Sequence, residues 1–294
     1  MRVPSSDGVE VAVFELTGHH FDGHDSATLL ISHATGFHGR CYQPMADELA
    51  DVAHCVAFDY RGHGDTALPL PERQRSGEID WQRYGDDATA VATWLAERAG
   101  EPIVAFGHSM GGACLLMAAH RKPEVFRDII AFEPIVFPPA EYSPNDSEGG
   151  ELEGPMVASA RRRRTSFLSF EEAIANFSSK PPLNAFTPDA LEAYVRHGFA
   201  LGPDGAVHLK CDAQTEADTF VAGGLHNTWD VLPEITPEVL VVSGRLEEMR
   251  PSMIAAQIAE RLPNGSYLQR DDLDHFGPMT HPAECAAIIR GRLQ

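Results

Sequence analysis

Residues 104–120 read VAFGHSMGGACLLMAAH, a serine among glycines between two apolar stretches. Gly107, His108, Ser109, Met110 and Gly111 fit G-x-S-x-G, and the flanking pattern predicts a strand before Ser109 and a helix after it. Small neighbours let the chain turn sharply and raise the hydroxyl above the strand end. The helix start then aims backbone N–H groups at negative charge developing beside it. A serine here could simply cap the helix, but strand, turn and helix in register favour a nucleophile.

A serine hydroxyl is a weak nucleophile near neutral pH, so a base must take its proton and a carboxylate must orient that base. SYLQRDDLDHFGPMTHP, residues 266–282, supplies His275 in a loop between an apparent strand and the final helix, where a base follows nucleophile and acid in chain order. The rival His281 precedes Pro282, a helix-start signal, and reads as a capping or surface residue. Two glutamates compete as the acid. Glu133 lies in the very apolar AFEPIVFP, where a carboxylate is costly unless hydrogen-bonded, and a histidine would serve. Glu247 follows VLVVSG in a run with Glu248 and Arg250, where a solvated ion pair explains it equally well. Glu133 is preferred because burial without a partner is the harder state to sustain; Glu247 stays the alternative.

Something must hold these residues together across the chain. Short apolar, β-branched runs at 9–16, 27–33, 55–60, 102–108, 128–135 and 239–244 alternate with helical patterns such as 86–100, 252–262 and 282–293. Such alternation predicts an α/β fold, a mostly parallel twisted sheet with helices on both faces. The alternation stops after about residue 136, so residues 1–136 and 227–294 are expected to form the core and 137–226 an insertion. Within it, Ser169 with Glu172 forms a capping box and Thr187-Pro188 opens another helix, which predicts a helical lid.

GHSMGG and DHFG, together with SHATGFHGR at 32–40 and DYRGHGDT at 59–66, make the sequence resemble the α/β-hydrolase fold superfamily along nearly its whole length. The resemblance implies that one oxyanion N–H comes from Met110. It takes the second from the loop beginning at His33, at Thr35 or alternatively Phe37, with Ala34 standing where glycine is common. It also bears on the acid: relatives usually carry an aspartate near the place of Glu247, whereas haloalkane dehalogenases, like Glu133 here, have it at the end of the sixth strand. Those enzymes use an aspartate nucleophile, so with Ser109 in that position neither dehalogenase nor epoxide hydrolase activity is expected. His33, Phe37, His108 and Phe276 flank the site and are expected to line an apolar substrate pocket. The implied reaction is hydrolysis of a small-molecule carboxylic ester or related acyl compound through an acyl-enzyme, without metal or cofactor. The same constellation serves carbon–carbon bond hydrolysis, lactone opening and acyl transfer, and hydrolase scaffolds also act as non-catalytic ligand-binding modules.

Forty-three acidic against 23 basic residues give a formal charge of −20, which disfavours nucleic acid and anionic membrane surfaces as partners. The amino-terminal residues show no leader-like apolar run and no uncharged stretch approaches bilayer length, so a cytoplasmic monomer or homodimer is expected. Cys41, Cys55, Cys114, Cys211 and Cys285 are too scattered for a disulfide framework or a zinc knuckle. His19, His20, Asp22, His24 and Asp25 read as a polar loop rather than a metal cluster. Arg161–Arg164 read as the solvent face of a lid helix pairing with Glu171 and Glu172.

Overall fold

The structure, a computed structural model, describes residues 1–18, 27–68, 79–139, 154–247 and 251–293. Five of the residues weighed as a metal cluster, His19, His20, Asp22, His24 and Asp25, lie outside these, as do Glu248 and Arg250. Among the described residues, β1 (Arg2–Pro4), β2 (Glu10–Glu15), β3 (Ala27–Ser32), β4 (Ala53–Asp59), β5 (Ile103–His108), β6 (Phe126–Phe132), β10 (Glu238–Ser243) and β11 (Gly265–Gln269) form one sheet in the order β1-β2-β4-β3-β5-β6-β10-β11. The β1/β2 and β2/β4 pairs are antiparallel; every pair from β4 to β11 is parallel. The apolar runs read from the sequence therefore sit where a doubly covered sheet needs them: every residue of β4 and β5 is buried.

Helices complete both faces. On one side α2 (Trp81–Ala99), α3 (Met110–Arg121) and α9 (Ala255–Arg261) bury Tyr84, Val91, Leu95, Leu115 and Ile258 against the sheet. On the other, α1 (Gln43–Asp47) and α11 (Pro282–Leu293) bury Met45, Ala46, Cys285 and Ile289. α2 begins five residues ahead of the apolar pattern at 86, because Asp80 accepts from the Gln82 N–H at 2.9 Å and caps an earlier turn.

The chain between β6 and β10 forms its own layer. Among the described residues it comprises α4 (Pro155–Arg162), β7 (Ser166–Phe167), α5 (Phe170–Ser178), α6 (Pro188–Gly198), β8 (Phe199–Leu201), β9 (Val207–Leu209) and α7 (Ala213–Ala222), after which the short α8 (Thr228–Val231) returns to the core, with Trp229 against its buried cluster. The expected helix starts are present, with Ser169 accepting from Glu172 N–H at 3.2 Å and Thr187 from Ala190 N–H at 3.3 Å. A purely helical lid is not what forms, however: β7, β9 and β8 pair into a small antiparallel sheet that buries Phe167, Phe199 and Val207. Strands of two or three residues are too short to show alternation in the sequence. The layer is pinned to α2, where Trp81 Nε1 donates to Thr219 O at 3.0 Å and its ring stacks on His226.

Three of the four arginines take different partners. Arg164 meets Glu172 at 2.8 Å as expected, but Glu171 pairs with Arg196, Arg161 faces Asp218 and Arg163 turns inward to Glu216 and the Tyr194 hydroxyl. All five cysteines are free thiols in the interior.

Candidate active site

Ser109 sits between β5 and α3 with φ 56° and ψ −115°, a backbone conformation that a non-glycine residue adopts only when its surroundings impose it. The imposition is visible. Ser109 N–H donates to Phe132 O on β6 at 2.9 Å, and a side chain added to Gly107 would stand 2.7 Å from Gly111 O, so only glycine lets the chain double back this tightly. Met110 then opens α3, and the first N–H groups of a helix have no partner within it.

His275 and a carboxylate meet at the sheet's carboxyl edge. His275 Nδ1–H donates to Glu133 Oε2 at 2.6 Å, and the second oxygen, Oε1, accepts from Gly244 N–H at 2.9 Å. Glu133 follows β6 directly, is 1 % exposed and has φ 45°; its own N–H donates to Val242 O at 2.8 Å. With Nδ1 committed as donor, the neutral ring of His275 keeps Nε2 as its acceptor, the form a general base requires. The loop carrying His275 is fixed from both ends: Asp274 Oδ1 accepts from Phe276 N–H at 2.9 Å, and Leu273 O accepts from Arg245 N–H at 2.8 Å.

The loop after β3 is held with equal care. Ala34 O accepts from His33 Nδ1–H at 2.8 Å and from Phe37 N–H at 3.1 Å. In a trans peptide the C=O and N–H point opposite ways, so anchoring Ala34 O fixes the direction of the Thr35 N–H. The same contact commits the Phe37 N–H to the turn. Gly36, with φ 76°, lies against the Glu216 carboxylate, which Arg163 neutralises from the adjoining layer.

His33 and His108 do not line a pocket. Both are 0 % exposed, and each has both ring nitrogens occupied: His33 by Ala34 O and the Tyr60 N–H, His108 by Tyr42 Oη and His275 O. Phe37 and Phe276 are only partly buried, and they join Phe186 and Tyr194 in an aromatic wall with ring centroids 5.4–6.4 Å apart. Phe276 packs edge-on against His275 at 5.5 Å. His281 is exposed, with its Nδ1 2.9 Å from Thr280 Oγ1 and its main-chain oxygen accepting from Cys285 N–H at the start of the last helix, in keeping with a capping, surface role. Glu247 lies at the surface, where it pairs with Arg245 at 3.5 Å.

Residues 29–288 match the Alpha/beta hydrolase family. The chain belongs to that family. Lipase LipV of Mycobacterium tuberculosis is 26% identical over 271 residues, covering 91% of this chain and 93% of its own. The type I acyl-CoA thioesterase mpaH of Penicillium brevicompactum is 23% identical over 181 residues, 60% of this chain and 40% of its own length, so this chain spans about two fifths of that protein. Among solved structures, the thioesterase domain from the curacin biosynthetic pathway superposes with a TM-score of 0.74 at 15% identity, covering 99% of both chains, a likeness of fold.

Three residues of this α/β-hydrolase enzyme escaped the reading of its sequence. Asp59 accepts from Gly39 N–H and Asp65 N–H, both at 2.7 Å, and so ties the loop after β3 to the loop after β4. Burial pushes its carboxyl up to about 6, against the lowering effect of those two N–H groups. Its place at the head of DYRGHGDT was the available signal. Glu216 and Tyr42 gave none, because what they touch is set by tertiary packing. Among the described residues no helix is long and apolar enough to cross a membrane, and no cluster of three or more His, Cys, Asp or Glu could hold a metal ion.

Proposed function

We propose that this α/β hydrolase is a serine hydrolase that cleaves a small-molecule carboxylic ester or related acyl compound, with Ser109 as nucleophile, His275 as base and Glu133 as the acid. Ser109 Oγ attacks the acyl carbonyl while His275 Nε2 takes its proton. The oxyanion is met by the N–H groups of Met110 and Thr35, and His275 then protonates the leaving alcohol or thiol. Water, deprotonated by the same nitrogen, attacks the acyl-enzyme; as the bond to Ser109 Oγ breaks and the acid leaves, His275 returns that proton to Oγ. Every proton is accounted for without a metal or cofactor.

The observation that carries this reading is the Glu133–His275 hydrogen bond at 2.6 Å beside a serine held at positive φ. The printed names of its relatives, a lipase and an acyl-CoA thioesterase, both denote chemistry at an acyl carbonyl and support the same class. The aromatic wall of Phe37, Phe186, Tyr194 and Phe276 suits an apolar group on the substrate, and the layer between β6 and β10 supplies two of those rings, as a cap that selects substrate would.

A fluorophosphonate probe tests the mechanism. Wild type should label and hydrolyse p-nitrophenyl butyrate, and Ser109→Ala should do neither, with kcat down by about 10⁵–10⁶. A native wild-type protein that stays unlabelled would overturn the reading.

A further inference from the structure

We propose that His108 is a positioning residue: in its Nε2–H tautomer it joins the loop of the base to the loop of the oxyanion donor through one buried run of hydrogen bonds. The inference rests on the serine-hydrolase reading above. The run has three links: Ala34 N–H to Tyr42 Oη at 3.1 Å, Tyr42 O–H to His108 Nδ1 at 2.8 Å, and His108 Nε2–H to the main-chain oxygen of His275 at 2.8 Å.

The direction of each link is forced. A carbonyl oxygen only accepts, so His108 Nε2 must carry a proton. A neutral imidazole then offers Nδ1 as an acceptor, so the Tyr42 hydroxyl must donate to it and use a lone pair for the Ala34 N–H. Burial, the larger influence, and the nearby His275 both hold His108 well below its ordinary pKa, which keeps the ring in this neutral form. Tyr42 and His108 are each 0 % exposed, so no water competes for these bonds, and in such surroundings linked hydrogen bonds reinforce one another.

The two ends of the run lie in the two loops of the site, whose rings Phe37 and Phe276 also meet across it. At one end His275 is gripped twice, its ring by Glu133 and its main chain by His108, which together fix where Nε2 points. At the other, Ala34 is gripped on both its peptide groups, its N–H by Tyr42 and its oxygen by His33, with the Thr35 N–H directly after. His108 itself precedes the nucleophile. One side chain thus registers nucleophile, base and oxyanion donor against each other, and an error there would cost rate without changing the walls that bind substrate.

The experiment compares wild type, Tyr42→Phe, His108→Leu, His108→Gln and the Tyr42→Phe/His108→Leu pair, measuring kcat and KM on p-nitrophenyl butyrate, the rate of fluorophosphonate labelling and Tm. Tyr42→Phe should lower kcat about 10-fold and His108→Leu about 100-fold, both with KM within about 2-fold of wild type. His108→Gln, which keeps a donor for the His275 oxygen, should recover most of that loss. The double variant should be no worse than His108→Leu, since one run of bonds is broken only once. Wild-type kcat and labelling rates in both Tyr42→Phe and His108→Leu, with only Tm lowered, would overturn the proposal and leave His108 as a packing residue. Should His108→Leu fail to fold, Tyr42→Phe decides alone, since it removes a single oxygen. A wild type that does not label sinks the hydrolase reading; a labelling wild type with indifferent variants sinks only this one.

Discussion

Two neighbouring strands each deliver a glutamate near their carboxyl end, and the two residues live in opposite worlds. Glu133, directly after β6, is 1 % exposed and sits at φ 45°, with one oxygen on His275 and the other on Gly244 N–H. Glu247, four residues beyond β10, has a side chain 44% exposed that pairs with Arg245, and its N–H donates to Ser252 Oγ at 3.2 Å. β6 and β10 run parallel and in register, so both glutamates leave the sheet at the same edge. What separates them is completeness. A buried carboxylate is tolerated where each oxygen has a donor, and Glu133 has both, one of them the histidine it orients. β10 still takes part, because the Gly244 N–H directly after it braces the carboxylate that follows β6.

The sharpest way to press on this difference is Glu133→Gln. Glutamine fills the same space and its oxygen can keep the Gly244 bond, but its NH2 group faces the His275 Nδ1–H, donor against donor. The ring is then driven toward the wrong tautomer, with the proton on the nitrogen that must accept one. We expect kcat to fall by about 10³–10⁴ with KM little changed, read from steady-state hydrolysis of p-nitrophenyl butyrate. A loss under tenfold would move the acid away from β6.

The same contrast between interior and surface governs the imidazoles, and acid probes it. His33, His38, His63 and His108 are fully buried, and burial is the largest influence holding each below its ordinary value, His38 at about 3. Unfolding exposes rings that take up protons near 6.5, so below that pH the unfolded chain binds more protons than the folded one. Stability supplied by these neutral rings is complete above about pH 6.5 and is lost as pH falls, by up to about 1.4 kcal/mol per pH unit for each. Asp59 works the other way: raised to about 6, it holds a proton in the folded state that the unfolded chain has released, so its contribution declines as pH rises from about 4 to about 6. Four imidazoles outweigh one carboxyl. Urea midpoints should drop steadily between pH 7 and 5; a flat profile would mean that these rings accept protons in place.

Much of this was legible in the sequence, for identifiable reasons. Gly107 to Gly111 spelled the turn because close backbone approach admits only glycine, and His275 could be singled out because its loop precedes a helix with a clear start. Glu133 could be preferred, though not assigned, because an apolar run around a carboxylate poses a physical question that only a partner answers. The partner's identity came from the His275–Glu133 hydrogen bond, and the commitment of the Phe37 N–H from a turn hydrogen bond, neither of which a pattern encodes. His33 and His108 were read as pocket lining because they flank the site in sequence, whereas their rings point into the protein and spend every nitrogen on it. The little sheet of β7, β8 and β9 was invisible because its strands are shorter than the period used to recognise strands.

The smallest effect belongs to the other glutamate, and its smallness is the point. Glu247→Gln removes a charge from a pair in which Arg245 is itself 60% exposed, and such pairs contribute little once solvent screens them. The Glu247 main-chain bond to Ser252 survives the substitution, so the turn after β10 keeps its shape. His275 Nδ1 carries one proton and gives it to Glu133, so the ring is oriented through residue 133. We expect kcat and KM within about 2-fold of wild type and Tm unchanged to within about 1 °C. Measured beside Glu133→Gln on the same substrate, a tenfold loss here would reverse the comparison and return the acid to the strand where relatives usually carry it.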